Sequence, residues 1–134
     1  MLKERIQQKG NDLKMLQGHD RLAYLIDIAK DVEPLPQEVK IEKNRIRGCA
    51  SNLWLIGGLK EDNTMIYKID ADAFITKGTA KLVTDLVNNC SKDEVASLKV
   101  EDFLPLGIRE LLTMQRQNGL GSLIERIVTI ANTK

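Results

Sequence analysis

Cys49 and Cys90 are the only two thiols in the sequence, and they are its strongest candidates for chemistry. They lie far apart and do not form a C-x-x-C pair. With a single histidine, His19, they provide no zinc-ligand set. A reactive thiol must be ionised at working pH, because the thiolate is the nucleophile. The surroundings of each cysteine therefore decide which of the two is a candidate for reaction.

Cys49 lies in the segment RIRGCAS, between two stretches that are typical of β-strands, which predicts a loop position. Arg45 and Arg47 are nearby cations that favour the thiolate, and arginine stays charged at any working pH. Gly48 permits a tight backbone path and close approach by another molecule. The segment is equally compatible with a small buried cysteine, whose apolar surroundings would raise its pKa. The local sequence leaves both interpretations open.

Cys90 has a different setting, since it ends a helical pattern beside Ser91. This indicates a structural or incidental thiol. A disulfide between Cys49 and Cys90 is compatible with the sequence. Because the N-terminus lacks the apolar core of a secretion signal, we expect both thiols to be reduced in the cytoplasm.

Composition indicates an ordinary globular protein. The chain has 134 residues, of which 43% are hydrophobic and 29% charged, with a formal net charge of +1. This length suits one domain with a sizeable core, which we expect to span residues 1–134. The balanced charge gives no indication of a nucleic-acid or membrane surface, and no apolar run reaches the ~20 residues of a membrane helix. We therefore expect a soluble cytoplasmic domain.

The spacing of apolar residues predicts helices on both sides of a small sheet. Asp20 suits the N-cap of an early helix, and Gly10-Asn11 is expected to interrupt the one before it. Strand-like stretches at 39–47, 51–59 and 64–70 predict about three antiparallel strands, and in the last one Met65, Tyr67 and Ile69 lie on one face and Ile66 and Lys68 on the other.

The helical period then returns for the rest of the chain. Ser91-Lys92-Asp93-Glu94 has the form of a capping box that opens a short helix. Asn118-Gly119 is compatible with a turn before the last helix, whose apolar face is formed by Leu120, Leu123, Ile124, Ile127 and Val128. This order predicts an α+β domain, a small antiparallel sheet flanked by helices.

Three segments resemble one known family. The segment NRIRGCASNLWL at 44–55 resembles the signature of the SufE family of cysteine desulfuration proteins. The segments DADAFITKG at 70–78 and RQNGL at 116–120 match further stretches of that family in the same order. Each segment is short, but three in register are specific, and the resemblance covers roughly residues 20–130.

The resemblance implies both a fold and a mechanism. The fold is an antiparallel sheet flanked by helices, related to the IscU-type scaffold. In the mechanism, Cys49 accepts persulfide sulfur from a SufS-like, pyridoxal-phosphate-dependent cysteine desulfurase and stimulates that enzyme. The sulfur then passes to an iron–sulfur cluster scaffold. Thiolate attack on sulfur requires no metal or cofactor in this chain, and the pyridoxal phosphate belongs to the partner.

The resemblance also assigns supporting roles around Cys49. Five further residues are assigned to partner binding or to support of the Cys49 loop: Arg47, Gly48, Ser51, Asp72 and Arg116. Asp72 also suits the first turn of a helix, and we expect Asp70 to cap that helix. Gly78 is expected to pack closely against the sheet, because a glycine within a helix otherwise costs up to ~1 kcal/mol relative to alanine.

Three alternative functions remain compatible with the residues. An iron–sulfur scaffold or metal-binding module is disfavoured, because cluster assembly requires several thiolate or similar ligands. A non-catalytic adaptor that binds a desulfurase would not require Cys49 to react. A redox sensor would require Cys49 to be oxidised reversibly.

Overall fold

The computed structural model describes residues 2–48 and 51–133. In these residues five α-helices surround a two-stranded antiparallel sheet, which confirms the α+β class. The elements in chain order are α1 (Leu2–Lys14), α2 (Gly18–Ala29), β1 (Leu53–Leu59), β2 (Met65–Ala71), α3 (Phe74–Val87), α4 (Lys92–Ala96) and α5 (Met114–Asn132). Within the described ranges, no helix has the length and apolar character needed to cross a membrane.

The sheet is a hairpin whose register runs from Leu53 opposite Ala71 to Leu59 opposite Met65. Along β2 the burial alternates as the sequence predicts. The inward residues Met65, Tyr67 and Ile69 are buried, and Ile66 and Lys68 are exposed. The hydroxyl of Tyr67 donates to the Ile127 carbonyl at 2.7 Å, which fastens the hairpin to α5.

The prediction of a full strand at 39–47 is wrong. This stretch contains short 3-10 turns, at Gln37–Val39 and Glu42–Asn44, and pairs with β1 through a single bridge from Arg45 to Trp54. The side-chain amide of Asn44 donates to the Val39 carbonyl at 2.8 Å. An asparagine side chain that bonds the local backbone in this way offers an alternative to strand pairing.

The outer edge of β2 is closed by the connection between α3 and α4. The side-chain oxygen of Asn88 accepts from the Tyr67 N–H at 2.6 Å, and its amide donates to the Tyr67 carbonyl at 3.1 Å. Two residues earlier on β2, the Met65 N–H donates to the Cys90 carbonyl and the Met65 carbonyl accepts from the Asn89 N–H, each at 2.9 Å. A side-chain amide and a short backbone segment thus take the place of a neighbouring strand.

Two predictions about the first helices are wrong. Helix α1 runs unbroken through Gly10. A side chain at this position would overlap the Pro105 carbonyl, and glycine permits the close contact. Helix α2 begins at Gly18 with Gln17 as its N-cap, so Asp20 lies in the first turn, where its charge still favours the helix dipole.

Helix α3 packs against α2 as well as against the sheet. A side chain at Gly78 would overlap the Leu25 carbonyl oxygen, so the close contact predicted for Gly78 exists but is made with α2 and not with the sheet. Helix α5 covers β1, and its predicted apolar face is confirmed by the buried residues Leu123, Ile124 and Ile127. Residues near the starts of α3 and α5 line the same cavity as Leu53, the first residue of β1.

Candidate functional site

Cys49, the predicted sulfur acceptor, and Ala50 lie outside the described residues, so the site is defined by the residues on either side of them. Gly48 precedes Cys49 with a φ of +83°, a left-handed conformation that glycine adopts most readily. A Cβ atom at Gly48 would lie 3.4 Å from the hydroxyl of Ser122 on α5. The chain therefore approaches Cys49 beside α5, through a position that favours glycine for its backbone conformation.

The chain that follows is fastened to the start of α3. The side-chain amide of Asn52 donates to the Asp72 carboxylate at 2.7 Å, and the Asp72 N–H donates to the Asn52 carbonyl at 3.1 Å. Ser51 is half-buried directly before this pair. Asp72 thus holds Asn52, three residues after Cys49, while its role in partner binding or loop support stays a prediction. The hydrogen bond from Asn52 was not predicted from the sequence. The position of Asn52 inside the signature segment was the signal that could have indicated it.

The two arginines before Gly48 differ in their surroundings. Arg47 is exposed, and the described part of the chain places no carboxylate within ion-pair distance of it. Arg45 is half-buried and lies 3.7 Å from the Glu42 carboxylate, while its buried Nε has no hydrogen-bond partner in the described ranges. Arg45 and Arg47 lie four and two residues before Cys49 in the sequence.

Between the first turns of α3 and α5 lies a cavity of about 10 Å³. Leu53, Leu120 and Leu123 provide apolar wall, while Thr76 and Arg116 are its principal polar residues. Arg116 is half-buried on α5, which starts at Met114. The Asn118-Gly119 pair therefore lies inside the helix and does not form a turn before it. The structure thus brings Arg116 to the same cavity wall as Leu53, which lies four residues after Cys49.

Asp70 does not cap α3, so that prediction is wrong. Helix α3 begins at Phe74, and its N-cap is Ala73. Asp70 is 3% exposed and accepts hydrogen bonds from the N–H groups of Leu35 at 3.0 Å and Ala71 at 2.8 Å. Its carboxylate also pairs with Lys40 at 2.9 Å and Lys77 at 3.4 Å.

Asp70 stays ionised in this buried position. Burial opposes its charge, but the hydrogen bonds from Lys40, Leu35 and Ala71 outweigh burial and hold the pKa of the carboxyl below its ordinary value. Lys40 also lies over the Trp54 ring, 5.2 Å from its centre. Asp70 therefore links the 35–40 segment, β2 and α3, and Lys40 of this cluster contacts Trp54 of the signature segment.

Replacing Asp70 with asparagine is expected to lower the free energy of unfolding by about 2–3 kcal/mol at neutral pH, because two largely buried lysines lose their counter-charge. The folded-state pKa lies below the ordinary value of 3.8. The advantage of the wild type is therefore complete above pH 3.8 and is lost as the pH falls through the folded-state pKa. Urea unfolding at neutral pH and at successively lower pH measures this difference.

Asp85→Asn is the matched control for this prediction. Asp85 is exposed and pairs with Lys81 at 3.2 Å on the same face of α3, so its loss is expected to cost less than about 0.5 kcal/mol. If D70N loses no more free energy of unfolding than D85N, the stabilising role of the buried Asp70 ion pairs is contradicted.

Cys90 is a buried structural thiol, as predicted. Its sulfur accepts from Arg5 Nη1 and donates to the Leu86 carbonyl, both at 3.4 Å. Burial raises the pKa of the Cys90 thiol, which keeps it protonated and unreactive. Within residues 2–48 and 51–133, no three side chains of His, Cys, Asp or Glu are grouped to hold a metal ion.

The fold and the signature segment define a class: α+β domains with helices around a small antiparallel sheet and a cysteine-bearing connection before its first strand. The chain belongs to the SufE family, whose model, described as an Fe-S metabolism associated domain, matches residues 7–131.

Curated relatives and a solved structure agree with this membership. An uncharacterized SufE-like protein of Rhizobium etli is 35% identical over 112 residues, covering 81% of this chain and 76% of the relative. A second one, from Rhizobium meliloti, is 32% identical, covering 81% of this chain and 80% of the relative. The solution structure of a hypothetical protein from Thermus thermophilus has the same fold, with a TM-score of 0.79 at 20% identity, covering 96% of this chain and 93% of that one.

Proposed function

We propose that this protein accepts a sulfur atom on Cys49 from a pyridoxal-phosphate-dependent cysteine desulfurase, stimulates that enzyme and passes the sulfur to an iron–sulfur cluster scaffold. The observation that carries the proposal is the setting of the described residues that flank Cys49 in the sequence. Gly48 lies beside α5, and Asn52 is hydrogen-bonded to Asp72, which precedes α3. Membership of a family associated with Fe–S metabolism supports the same function.

The proposed reaction is a thiol–persulfide exchange. The Cys49 thiolate attacks the outer sulfur of the desulfurase persulfide and forms a new S–S bond. The old S–S bond breaks, and its electron pair returns to the desulfurase cysteine as a thiolate. No electrons are lost or gained overall. Arg45 and Arg47 favour the anionic sulfur before and after transfer, since arginine remains charged at working pH.

We expect Cys49 to be partly shielded from solvent, because an exposed persulfide is lost to oxidants and stray thiols. The supports on both sides are consistent with this expectation. Asn52 and Asp72 form a hydrogen-bonded pair on one side, and Gly48 lies near Ser122 of α5 on the other.

Intact mass spectrometry after incubation with a cysteine desulfurase, pyridoxal phosphate and cysteine tests the proposal. We expect a gain of one sulfur atom, and peptide mapping after alkylation is expected to place it on Cys49. The control omits free cysteine, so that no persulfide forms on the desulfurase. Absence of the adduct while the desulfurase releases alanine from cysteine would contradict the proposal.

A further inference from the structure

The outer edge of β1, which faces away from β2, is open along part of its length. In an antiparallel pair, alternate residues of a strand direct their backbone groups to the partner strand. At the two ends of the hairpin, the Asp72 N–H donates to the Asn52 carbonyl and the Lys60 N–H donates to the Thr64 carbonyl. The even-numbered residues of β1 therefore bond to β2, and the odd-numbered residues direct their N–H and carbonyl groups to the outer edge.

The odd-numbered residues of β1 differ in how this edge is covered. At the start of the strand, the Leu53 carbonyl accepts from the Ile46 N–H at 2.7 Å, and Leu55 is 1% exposed. Gly57 and Leu59 are exposed, and their outward N–H and carbonyl groups have no hydrogen-bond partner in residues 2–48 and 51–133. The open edge thus consists of the second half of β1.

This open edge has none of the features that usually protect a free strand. Natural edge strands are commonly blocked by charged side chains, proline or a bulge. The sequence of β1, LWLIGGL, contains no charged residue and no proline, and its register with β2 is continuous. Leu59 is 51% exposed, and Ile66, which lies opposite Gly58, is 39% exposed. Unpaired backbone groups beside exposed apolar side chains indicate a surface that a partner covers.

A groove of about 370 Å³ lies beside the open edge. Gly57 and Leu59 line it on the sheet side, and Ile130 and Thr133 line it on the side of α5. If another strand were added to β1, the residues directly opposite Gly57 and Leu59 would have their side chains on this same face of the sheet. Alternate side chains of an added strand would therefore enter the groove.

The groove has a positive charge at one end. Lys92 is the single charged residue among the described residues that line it. The Lys92 N–H donates to the Asn63 carbonyl at 3.1 Å, so Lys92 lies beside the turn that follows β1. A cation in a groove that no acidic residue lines favours a ligand with a carboxylate at this end.

An extended peptide suits this edge better than a second copy of the chain does. Helix α5 runs along β1, since Leu123 lines a cavity with Leu53 at the start of the strand and Ile130 lines the groove with Gly57 near its end. Two copies paired through their β1 edges would bring both α5 helices to the same face of the joint sheet. Packed helices require about 8–10 Å between their axes, whereas paired strands lie only about 4.8 Å apart.

We propose that the outer edge of β1 binds an extended peptide segment of a partner protein as an added antiparallel strand. The peptide backbone bonds the outward groups of Gly57 and Leu59, its alternate apolar side chains enter the groove, and an acidic side chain pairs with Lys92. Because an antiparallel peptide runs away from the turn, the acidic residue lies toward its N-terminus. This site uses none of the residues assigned to sulfur transfer, so it goes beyond the proposed function.

The peptide Glu-Thr-Val-Thr-Val-Thr, with blocked ends and a fluorescein label, is a suitable probe in fluorescence anisotropy. In the proposed register its valines lie opposite Leu59 and Gly57, so the valine N–H groups face β1 and the threonine N–H groups face solvent. N-methylation of both valines is expected to weaken binding to the wild-type protein at least about tenfold. N-methylation of the two threonines before them is the matched control and should have little effect.

Protein variants test the same contacts from the other side. Leu59→Pro removes an outward N–H that is not bonded to β2, and proline is tolerated at such edge positions. We expect it to weaken binding about tenfold, with Leu59→Val, which keeps the N–H, close to the wild type. Lys92→Gln is expected to weaken binding about fivefold for the probe, and not for a probe that carries glutamine in place of glutamate.

The melting temperature of Leu59→Pro reports whether the hairpin is retained, and the methylated peptides test the proposal on the wild-type protein whatever that variant does. Absence of saturable binding at millimolar probe would overturn the proposal, as would equal affinities for the two methylated peptides. A dimer of the wild-type protein in sedimentation that Leu59→Pro converts to a monomer would also overturn it, because a second copy would then occupy the edge.

Discussion

Replacing Cys49 with serine is expected to abolish sulfur acceptance. Serine is almost the same size, but its hydroxyl is not ionised near neutral pH and is a poor nucleophile toward sulfur. We expect no sulfur adduct by intact mass, and stimulation of the desulfurase below about one hundredth of the wild-type effect. Desulfurase turnover with and without the variant, measured as alanine release, checks the second expectation.

Cys90→Ser is the matched control, because it removes the other thiol by the same change. Cys90 is buried beside Arg5, and burial raises the pKa of its thiol, so it is not expected to carry sulfur. The C90S protein should therefore accept one sulfur like the wild type. Undiminished stimulation by C49S would contradict the acceptor role and favour a non-catalytic adaptor. An iron–sulfur absorption band that appears after anaerobic reconstitution and is lost in the Cys49 variant would favour a scaffold.

Replacing Gly78 with alanine is expected to destabilise the protein by about 3 kcal/mol or more. The added methyl group would overlap the Leu25 carbonyl oxygen, and both atoms belong to packed helices that cannot shift independently. The higher helix propensity of alanine, about 1 kcal/mol, is too small to compensate. Thermal unfolding should show a melting temperature lower by about 10 °C.

Gly121→Ala is the matched control for Gly78→Ala, since Gly121 also lies inside a helix. A Cβ atom at Gly121 would meet no atom of residues 2–48 and 51–133 within 4 Å, so the methyl group should be accommodated. Alanine at this position of α5 is expected to stabilise the protein by up to about 1 kcal/mol. If G78A lowers the free energy of unfolding and G121A raises it, the contact between α2 and α3 decides the result. A G78A protein as stable as the wild type would contradict the packing described here.

Local patterns correctly predicted the helices and strands in which apolar residues recur at a regular spacing. The alternation along β2 gave the correct buried face, and the apolar spacing of the last helix gave the buried residues Leu123, Ile124 and Ile127. These predictions hold because one face of each element is in contact with the core. The cap at Ser91 was also predicted correctly: its hydroxyl accepts from the Glu94 N–H at 3.2 Å.

Two of the wrong predictions have a common physical cause, since each depends on a contact distant in sequence. Gly10 permits α1 to pass the Pro105 carbonyl, and no local pattern shows that this partner exists. Asp70 has the type and position of a helix cap, but Lys40, thirty residues earlier, places it in a buried ion pair instead. Short polar residues suit caps, turns and buried clusters equally well, so tertiary structure decides between these roles.

The types of the candidate site residues could be read from the sequence. The residues that contact them are known only from the structure. The signature segment indicated Cys49, Gly48 and Arg47 as candidate residues without any knowledge of the fold. The partner of Asp72, the side chain of Asn52, follows only from the fold.

The closed edge of β2 restricts how this protein can associate with other molecules. A free strand edge can recruit an extended peptide or a second sheet through its backbone groups. At Met65 and Tyr67 those groups are already occupied by the Asn88–Cys90 segment, which is covalently part of the same chain and so competes at high effective concentration. A protein that binds here would first have to displace this segment. Recognition that proceeds without local unfolding must therefore use surfaces other than this part of the β2 edge.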